Sequence, residues 1–243
     1  MIIAMILAGG VGSRVGADVP KQFIEVFDKP ILAYTTEIFQ EHPKVDAIEI
    51  VCHAKWLDHC RHMVKKYNLS KVKWIVQGGD TFQESTMNGI NNLASLMKEG
   101  ELNHDDLILV QYGAAPFTSK PIVDDVIKVA GEKGNAVTTI PCYQLLGSND
   151  EGGVSKTWID RDKCIQIACP YGFSLDYLID VYKRSEERGL LDTVEPHLTT
   201  LMYELGDTLN QAYGNQTNIK ITTAEDVELF KGYILYKRTN MKR

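Results

Sequence analysis

Several features that would narrow the function are missing from this chain of 243 residues. It has no C-x-x-C pair, and five cysteines at irregular spacing suggest neither a zinc site nor a redox motif. No apolar run approaches the roughly 18 residues of a membrane-spanning helix, and the short apolar start is better interpreted as a buried strand than as a signal peptide. A formal charge of −6 disfavours non-specific nucleic-acid binding. We therefore expect a cytoplasmic protein with reduced thiols and no nucleic-acid or membrane partner.

The apolar residues are arranged in short runs that alternate with segments of helical period. The runs lie at 2–7, 47–51, 72–76, 107–110 and 136–140. Between them, helical periodicity is found at 31–39, 56–67 and 84–97. This alternation predicts a single α/β domain over residues 1–243, built on a mostly parallel, twisted sheet.

Two later segments depart from this alternation of apolar runs and helical segments. Residues 141–166 contain a glycine- and asparagine-rich turn at 147–153 between two short arms, which predicts a projecting β-hairpin, or arm. Near the end of the chain, Thr222 and Glu225 have the spacing of a capping box, which predicts a final helix.

A glycine-rich loop follows the first predicted strand. It runs from Leu7 to Gly16 with the sequence L-A-G-G-V-G-S-R-V-G, and its glycines would let backbone N–H groups surround an anion. It is neither a Walker A loop nor a G-x-G-x-x-G fingerprint. Arg14 and Lys21 add two cations that could neutralise a triphosphate. The alternative interpretation is an ordinary turn with solvated cations.

The pattern L-A-G-G-x-G-x-R-x-G followed by P-K-Q-F resembles the cytidylyltransferases that activate methylerythritol 4-phosphate or ribitol 5-phosphate. The resemblance extends over almost the whole chain. Its further landmarks are Gly78-Gly79 with Ser85, Asn88-Gly89, Pro116-Phe117, Asp160-Arg161, Pro170 with Gly172-Phe173, and Asn218 to Thr222.

The resemblance implies a Rossmann-like, GT-A-like nucleotidyltransferase fold and transfer of CMP from CTP to a sugar or polyol phosphate, for isoprenoid, teichoic acid or capsule precursors. It implies a homodimer joined through the arm. The nucleotide-binding residues it implies are Leu7, Ala8, Gly9, Gly10, Gly12, Gly79 and Ser85. The implied catalytic residues are Arg14 and Lys21 at the transition state, and Arg161 and Lys220 at the acceptor phosphate.

One departure from the family pattern concerns the metal. The family's His-Asp-x-x-Arg-Pro-Phe segment, whose aspartate binds magnesium, is replaced by Gln-Tyr-Gly-Ala-Ala-Pro-Phe, so that Tyr112 stands at the aspartate position. A phenol is a poor ligand for Mg²⁺. Magnesium therefore remains a possible cofactor without its usual ligand, and no metal-binding residue is predicted.

Other departures affect the acceptor side. The family's arginine after the Gly-Gly pair corresponds to Phe82, its Asp-Thr on the arm to Gln144-Leu145, and its Gln-Thr-Pro-Gln to residues 168–171. These losses leave open a second interpretation, a non-catalytic relative that binds a nucleotide or sugar phosphate or serves as a partner subunit. Retention of all four cations favours the enzyme.

A group of cysteines and histidines is metal-like in composition. It comprises Cys52, His53, His59, Cys60 and His62. No carboxylate or spacing in this segment matches a known zinc pattern, so a structural or solvent-exposed role is expected.

Overall fold

The computed structural model describes residues 1–10, 19–194 and 197–240. Within these ranges it contains nine β-strands and seven α-helices. The strands are β1 Ile2–Ala8, β2 Ala47–Cys52, β3 Val72–Gln77, β4 Leu107–Tyr112, β5 Asn135–Pro141, β6 Leu146–Gly147, β7 Trp158–Ile159, β8 Ile165–Ser174 and β9 Gln211–Tyr213. The helices are α1 Ile31–Gln40, α2 Leu57–Lys66, α3 Phe82–Lys98, α4 Lys120–Lys133, α5 Leu175–Glu187, α6 Leu198–Glu204 and α7 Ala224–Asn240.

Seven of the strands form one twisted sheet in the order β3-β2-β1-β4-β8-β5-β9. The neighbours from β3 to β4 run parallel, whereas β8 is antiparallel to both β4 and β5. The predicted α/β class with a mostly parallel sheet is confirmed. In the β1–β4 register Leu7 lies opposite Tyr112, and in β1–β2 Ala8 lies opposite Cys52. The carboxyl ends of these three strands therefore meet at one edge.

Helices cover both faces of the sheet, and β1 shows how the core is divided. Its residues Ile3, Met5 and Leu7 contribute to a core with side chains of α3, α5 and α6. The alternate residues Ala4, Ile6 and Ala8 contribute to a second core with α1, α2 and α4. Since successive side chains of a strand point to opposite faces, a continuous apolar run is what a sheet covered on both sides requires.

The starts of α3 and α7 both carry side-chain caps. At α3, Thr81 Oγ1 accepts from the Glu84 backbone N–H at 3.0 Å, and the Glu84 carboxylate accepts from the Thr81 N–H at 3.1 Å, which forms a capping box. At α7 the predicted helix is present, but its cap is not Glu225. Instead Asp226 accepts from the backbone N–H groups of Thr222 and Thr223 at 2.7 and 2.9 Å. The cap prediction was wrong by one residue because the helix begins later.

A separate hairpin lies within the predicted segment 141–166. Strands β6 and β7 pair antiparallel, with Leu146 opposite Ile159 and Gly147 opposite Trp158. Several of its large apolar side chains are exposed, Leu145 by 78% and Trp158 by 70%. The predicted hairpin is therefore present, and part of its apolar surface is left uncovered by this chain. Among the described residues, no helix is both long and apolar enough to cross a membrane.

Candidate nucleotide-binding site

Three glycines surround one serine hydroxyl at the carboxyl ends of β1 and β3. A Cβ atom added to Gly9 or to Gly78 would lie 2.8 Å from Ser85 Oγ, so a side chain at either position would displace the serine. The Gly79 backbone N–H donates to the same oxygen at 3.1 Å. We call Gly9, Gly78, Gly79 and Ser85 the glycine cluster. It brings together two segments that are distant in the sequence, and it leaves peptide groups of the loop without side-chain cover.

Gln22 holds the start of the glycine-rich loop. Its side chain is buried, and its Nε2 donates to the backbone oxygens of Ala8 at 2.7 Å and Gly10 at 2.8 Å. Gln22 belongs to a short 3₁₀ turn, Lys21–Phe23. Phe23 anchors this turn by stacking on Trp56, with 4.7 Å between ring centroids. Lys21 is therefore carried by a segment fixed to the same strand end as the loop.

Gly12 and Arg14, both predicted site residues, lie outside the described residues. Of the other predicted nucleotide-binding residues, Leu7 and Ala8 are buried at the end of β1, and Gly9, Gly10, Gly79 and Ser85 follow at the same edge. In the sequence, Gln22 stands within the P-K-Q-F motif, and no role was predicted for it. The signal that could have identified its role is an amide, able to donate two hydrogen bonds, directly beside Lys21.

The end of β4 carries an aromatic cluster, which consists of Phe82, Tyr112, Tyr171 and His197. The Tyr112 hydroxyl is hydrogen-bonded to Tyr171 at 3.3 Å and to His197 Nδ1 at 3.0 Å. The Phe82 ring meets the Tyr112 ring edge-on at 5.9 Å. Burial, and then the neighbouring Tyr171, raise the pKa of Tyr112 well above its ordinary value, so the phenol stays neutral at physiological pH.

Lys220 lies beside this cluster, with its Nζ 4.7 Å from the centroid of the Tyr112 ring. The segment that carries it is anchored by buried Asn218. Asn218 Oδ1 accepts from Thr118 Oγ1 at 2.9 Å, and its Nδ2 donates to the Cys169 carbonyl at 2.8 Å. These hydrogen bonds fix the position of the segment and therefore the position of the Lys220 ammonium group.

A cavity of about 290 Å³ opens between β8 and this segment, and Tyr112, His197 and Lys220 all line it. The remaining polar lining residues are Gln166, Tyr171, Thr199, Thr200, Gln216 and Asn218. We call it the polar cavity. Apolar atoms make up the larger part of its surface, and the other described lining residues are Ile140, Ile167, Ala168, Cys169 and Ile219. One ammonium with hydroxyl and amide groups on otherwise apolar walls suits a small ligand that has a phosphate and several hydroxyls.

Arg161 lies apart from the polar cavity. It begins a short 3₁₀ turn, Arg161–Lys163, after β7, and its guanidinium donates to the Tyr143 carbonyl at 2.6 Å. Within the described part of this chain it is not a lining residue of the cavity. The structure therefore brings Lys220, but not Arg161, to the polar cavity of the same subunit.

The cysteine–histidine group has structural contacts. Cys52 and Cys60 are fully buried in the core, and His53 Nδ1 accepts from the Lys55 backbone N–H at 3.2 Å. His59 packs edge-on against Phe23, with 5.0 Å between ring centroids. Across residues 1–10, 19–194 and 197–240, no group of three or more His, Cys, Asp or Glu side chains is placed to hold a metal ion.

The glycine cluster lies at the carboxyl end of a parallel sheet, next to the polar cavity. This arrangement is typical of α/β proteins that bind nucleotides. Residues 2–235 match the family described as IspD, 2-C-methyl-D-erythritol 4-phosphate cytidylyltransferase. The chain belongs to this cytidylyltransferase family.

The similarity to individual relatives covers nearly the whole chain. It is 36% identical to ribitol-5-phosphate cytidylyltransferase of Lacticaseibacillus paracasei, over 98% of this chain and 99% of that one. It is 33% identical to 2-C-methyl-D-erythritol 4-phosphate cytidylyltransferase of Clostridium acetobutylicum, over 100% of both chains. The solved 4-diphosphocytidyl-2C-methyl-D-erythritol synthase of Anaerococcus prevotii has the same fold, with a TM-score of 0.77 at 21% identity over 97% of this chain and 98% of that one. The family resemblance predicted from the sequence is confirmed.

Proposed function

We propose that this chain is a cytoplasmic cytidylyltransferase that transfers CMP from CTP to a polyol or sugar phosphate and releases pyrophosphate. The observation that carries the proposal is the position of the glycine cluster and the polar cavity at the ends of the adjacent strands β1 and β4. A nucleotide held at the first would meet an acceptor held in the second. The names of the relatives support this assignment, and the greater identity to the first one makes ribitol 5-phosphate the first acceptor to test.

The residue roles follow from charge and position. The peptide groups of Ala8 to Gly10, with Gly79 and Ser85, would hold the nucleotide. Gly12 of the loop would join these nucleotide-binding residues, and Lys21 and Arg14 would neutralise the triphosphate. Lys220 would hold the acceptor phosphate in the polar cavity.

The chemistry is a single in-line displacement. An oxygen of the acceptor phosphate attacks the α-phosphorus of CTP and forms the new P–O bond, while the bond from the α-phosphorus to the bridging oxygen breaks. Pyrophosphate leaves with that electron pair. Because a phosphate oxygen is already anionic at neutral pH, the attack needs positioning and charge neutralisation rather than a general base.

We further propose that the chain forms a homodimer through the arm and that Arg161 completes the acceptor site of the partner subunit. The support is the exposed apolar surface of the hairpin, which includes Tyr143, Leu145 and Trp158. Exposed apolar patches of this kind mark interaction surfaces. Arg161 already lies on that surface through its bond to the Tyr143 carbonyl.

The test is pyrophosphate release from CTP with ribitol 5-phosphate, with methylerythritol 4-phosphate and with unphosphorylated ribitol. Release is expected with a phosphorylated acceptor alone. Lys220→Met should raise the acceptor KM by about tenfold or more, since a charge-assisted contact is lost. The exposed Lys65→Met, in α2, serves as the charge-matched control. Absence of pyrophosphate release with every acceptor, together with absence of CTP binding, would contradict the proposal.

A further inference from the structure

We propose that the carboxyl end of β4 accepts CTP without a magnesium ion bound to the protein there, and that protein cations neutralise the phosphates instead. The inference rests on the proposed function, since it concerns how that same site handles the triphosphate. The residues that stand at the metal position of the family do not fit a divalent cation, for three reasons.

The first reason is the ligand atom. The Tyr112 hydroxyl is a neutral oxygen already engaged by Tyr171 at 3.3 Å and His197 at 3.0 Å. Magnesium takes carboxylate or phosphate oxygens and water in a near-ideal octahedron. To serve as a ligand, Tyr112 would have to give up its hydrogen bonds in a buried setting, and it would bring no charge.

The second reason is the surface around that atom. Phe82 lies against the Tyr112 ring at 5.9 Å and against His197 at 6.2 Å, while Tyr171 meets Tyr112 at 6.0 Å. Among the described residues, the side of Tyr112 that faces Phe82 and Tyr171 is therefore made of ring faces and edges. A magnesium ion keeps several water molecules, and these need oxygen or nitrogen partners that Phe82 does not supply.

The third reason is charge. Lys220 places an ammonium 4.7 Å from the Tyr112 ring centroid, next to the position that the metal carboxylate would occupy. A second cation bound to the protein at this point would be repelled by the first. The attraction of the aromatic face for the ammonium holds the lysine where it can meet a phosphate.

The two departures from the family pattern at this point leave the net charge of the site unchanged, because one removes an anion and the other removes a cation. The carboxylate position is Tyr112, and the position of the family's arginine after the Gly-Gly pair is Phe82. An anion and a cation are therefore absent from the same contact pair, and in the part of the chain that the structure describes Lys220 is a charge that lies beside it. The edge can still attract an anionic phosphate, but not a hydrated dication.

The experiment measures CTP binding by calorimetry for the full-length chain, in excess EDTA and in millimolar Mg²⁺. The two variants are Tyr112→Asp, which introduces a carboxylate, and Tyr112→Asn, which matches it in size but not in charge. The wild type and Tyr112→Asn should bind CTP with Kd values that agree within about threefold in the two conditions. Tyr112→Asp should bind at least about tenfold more tightly with Mg²⁺ than in EDTA.

Each other outcome is decisive. A wild-type chain that loses about tenfold or more of its CTP affinity in EDTA would overturn the inference and leave the proposed function intact. A Tyr112→Asp variant that behaves as Tyr112→Asn does would overturn the assignment of position 112 as the determinant. If the variants fail to fold, the wild-type comparison decides alone. Absence of CTP binding in both conditions would overturn the proposed function and, with it, the inference.

Discussion

Glu49 is a fully buried carboxyl group in the middle of β2, and it makes stability depend on pH. Its Oε1 accepts from Asn92 Nδ2 at 2.8 Å, whereas its Oε2 has no hydrogen-bond partner in the described part of the chain. Burial raises its pKa from 4.5 to about 8, and the bond from Asn92 opposes that rise only in part. At neutral pH the folded protein therefore holds a proton here that the unfolded chain has released.

The sign and size of the pH dependence of stability follow from this difference in bound protons. Between the unfolded pKa and about 8, the folded state binds more protons, so the free energy of unfolding falls as pH rises. Since each pH unit across this window is worth about 1.4 kcal/mol, the whole fall is on the order of 5 kcal/mol. Glu49→Gln carries no titrating proton and can keep the bond from Asn92, so this part of the slope should disappear.

The measurement is urea unfolding of the wild type and Glu49→Gln from pH 5 to pH 8.5, with the exposed Glu132→Gln as control. Near pH 5 the two stabilities should be similar, because Glu49 is then protonated and neutral in the folded wild type, as the amide of the variant is at every pH. At pH 8 the variant should be several kcal/mol more stable than the wild type. Parallel pH profiles for the wild type and Glu49→Gln would refute the reasoning.

Three further predictions concern the proposed site and the arm. Gly9→Ala should weaken CTP binding by about tenfold or more, because the added Cβ would lie 2.8 Å from Ser85 Oγ. As a control, Gly131→Ala should leave the calorimetric Kd for CTP unchanged, because a Cβ added there meets no other part of the protein within 4 Å. Gln22→Leu removes the two bonds to Ala8 and Gly10 and should cost about 1–3 kcal/mol of stability and weaken CTP binding; wild-type affinity and melting temperature would contradict that role. Trp158→Ser should shift sedimentation toward monomer with little effect on the melting temperature, since this side chain is 70% exposed; a wild type that is already monomeric at micromolar concentration would contradict the arm interface.

The sheet was predictable from the sequence where apolar residues dominate a short run, and it was missed elsewhere. Strands β1, β2, β4 and β5 coincide with such runs because each is buried between helices on both sides. The edge strand β3 also coincides with an apolar run, although its residues are only partly buried or exposed. Strand β8 was not predicted, since it contains Pro170 and Gly172 and has an irregular register opposite Val137 and Thr138. Strand β9, with three residues, is too short to show periodicity.

The candidate site, too, was predictable from the sequence in one part and missed in another. The glycines were identified from the sequence because a loop that approaches phosphates needs residues without side chains, and local spacing reveals it. The enclosure of Ser85 by Gly9 and Gly78 depends on how α3 packs against the end of β1, which no local pattern encodes. His197 was missed for the same reason. It meets Tyr112 across 85 positions of the chain, and no motif surrounds it.

The departures from the family pattern form one packed unit rather than scattered losses. Phe82, Tyr112 and Tyr171 come from three distant segments, and in the structure Tyr112 contacts both of the others. Independent decay of an unused site would not be expected to place complementary rings and a shared hydroxyl contact at one point, because such contacts require matched geometry. Lys220, held over the same ring, shows that the unit retains a charge suited to phosphate. We therefore propose that the cluster is a rebuilt edge of the acceptor site and not the remains of a metal site.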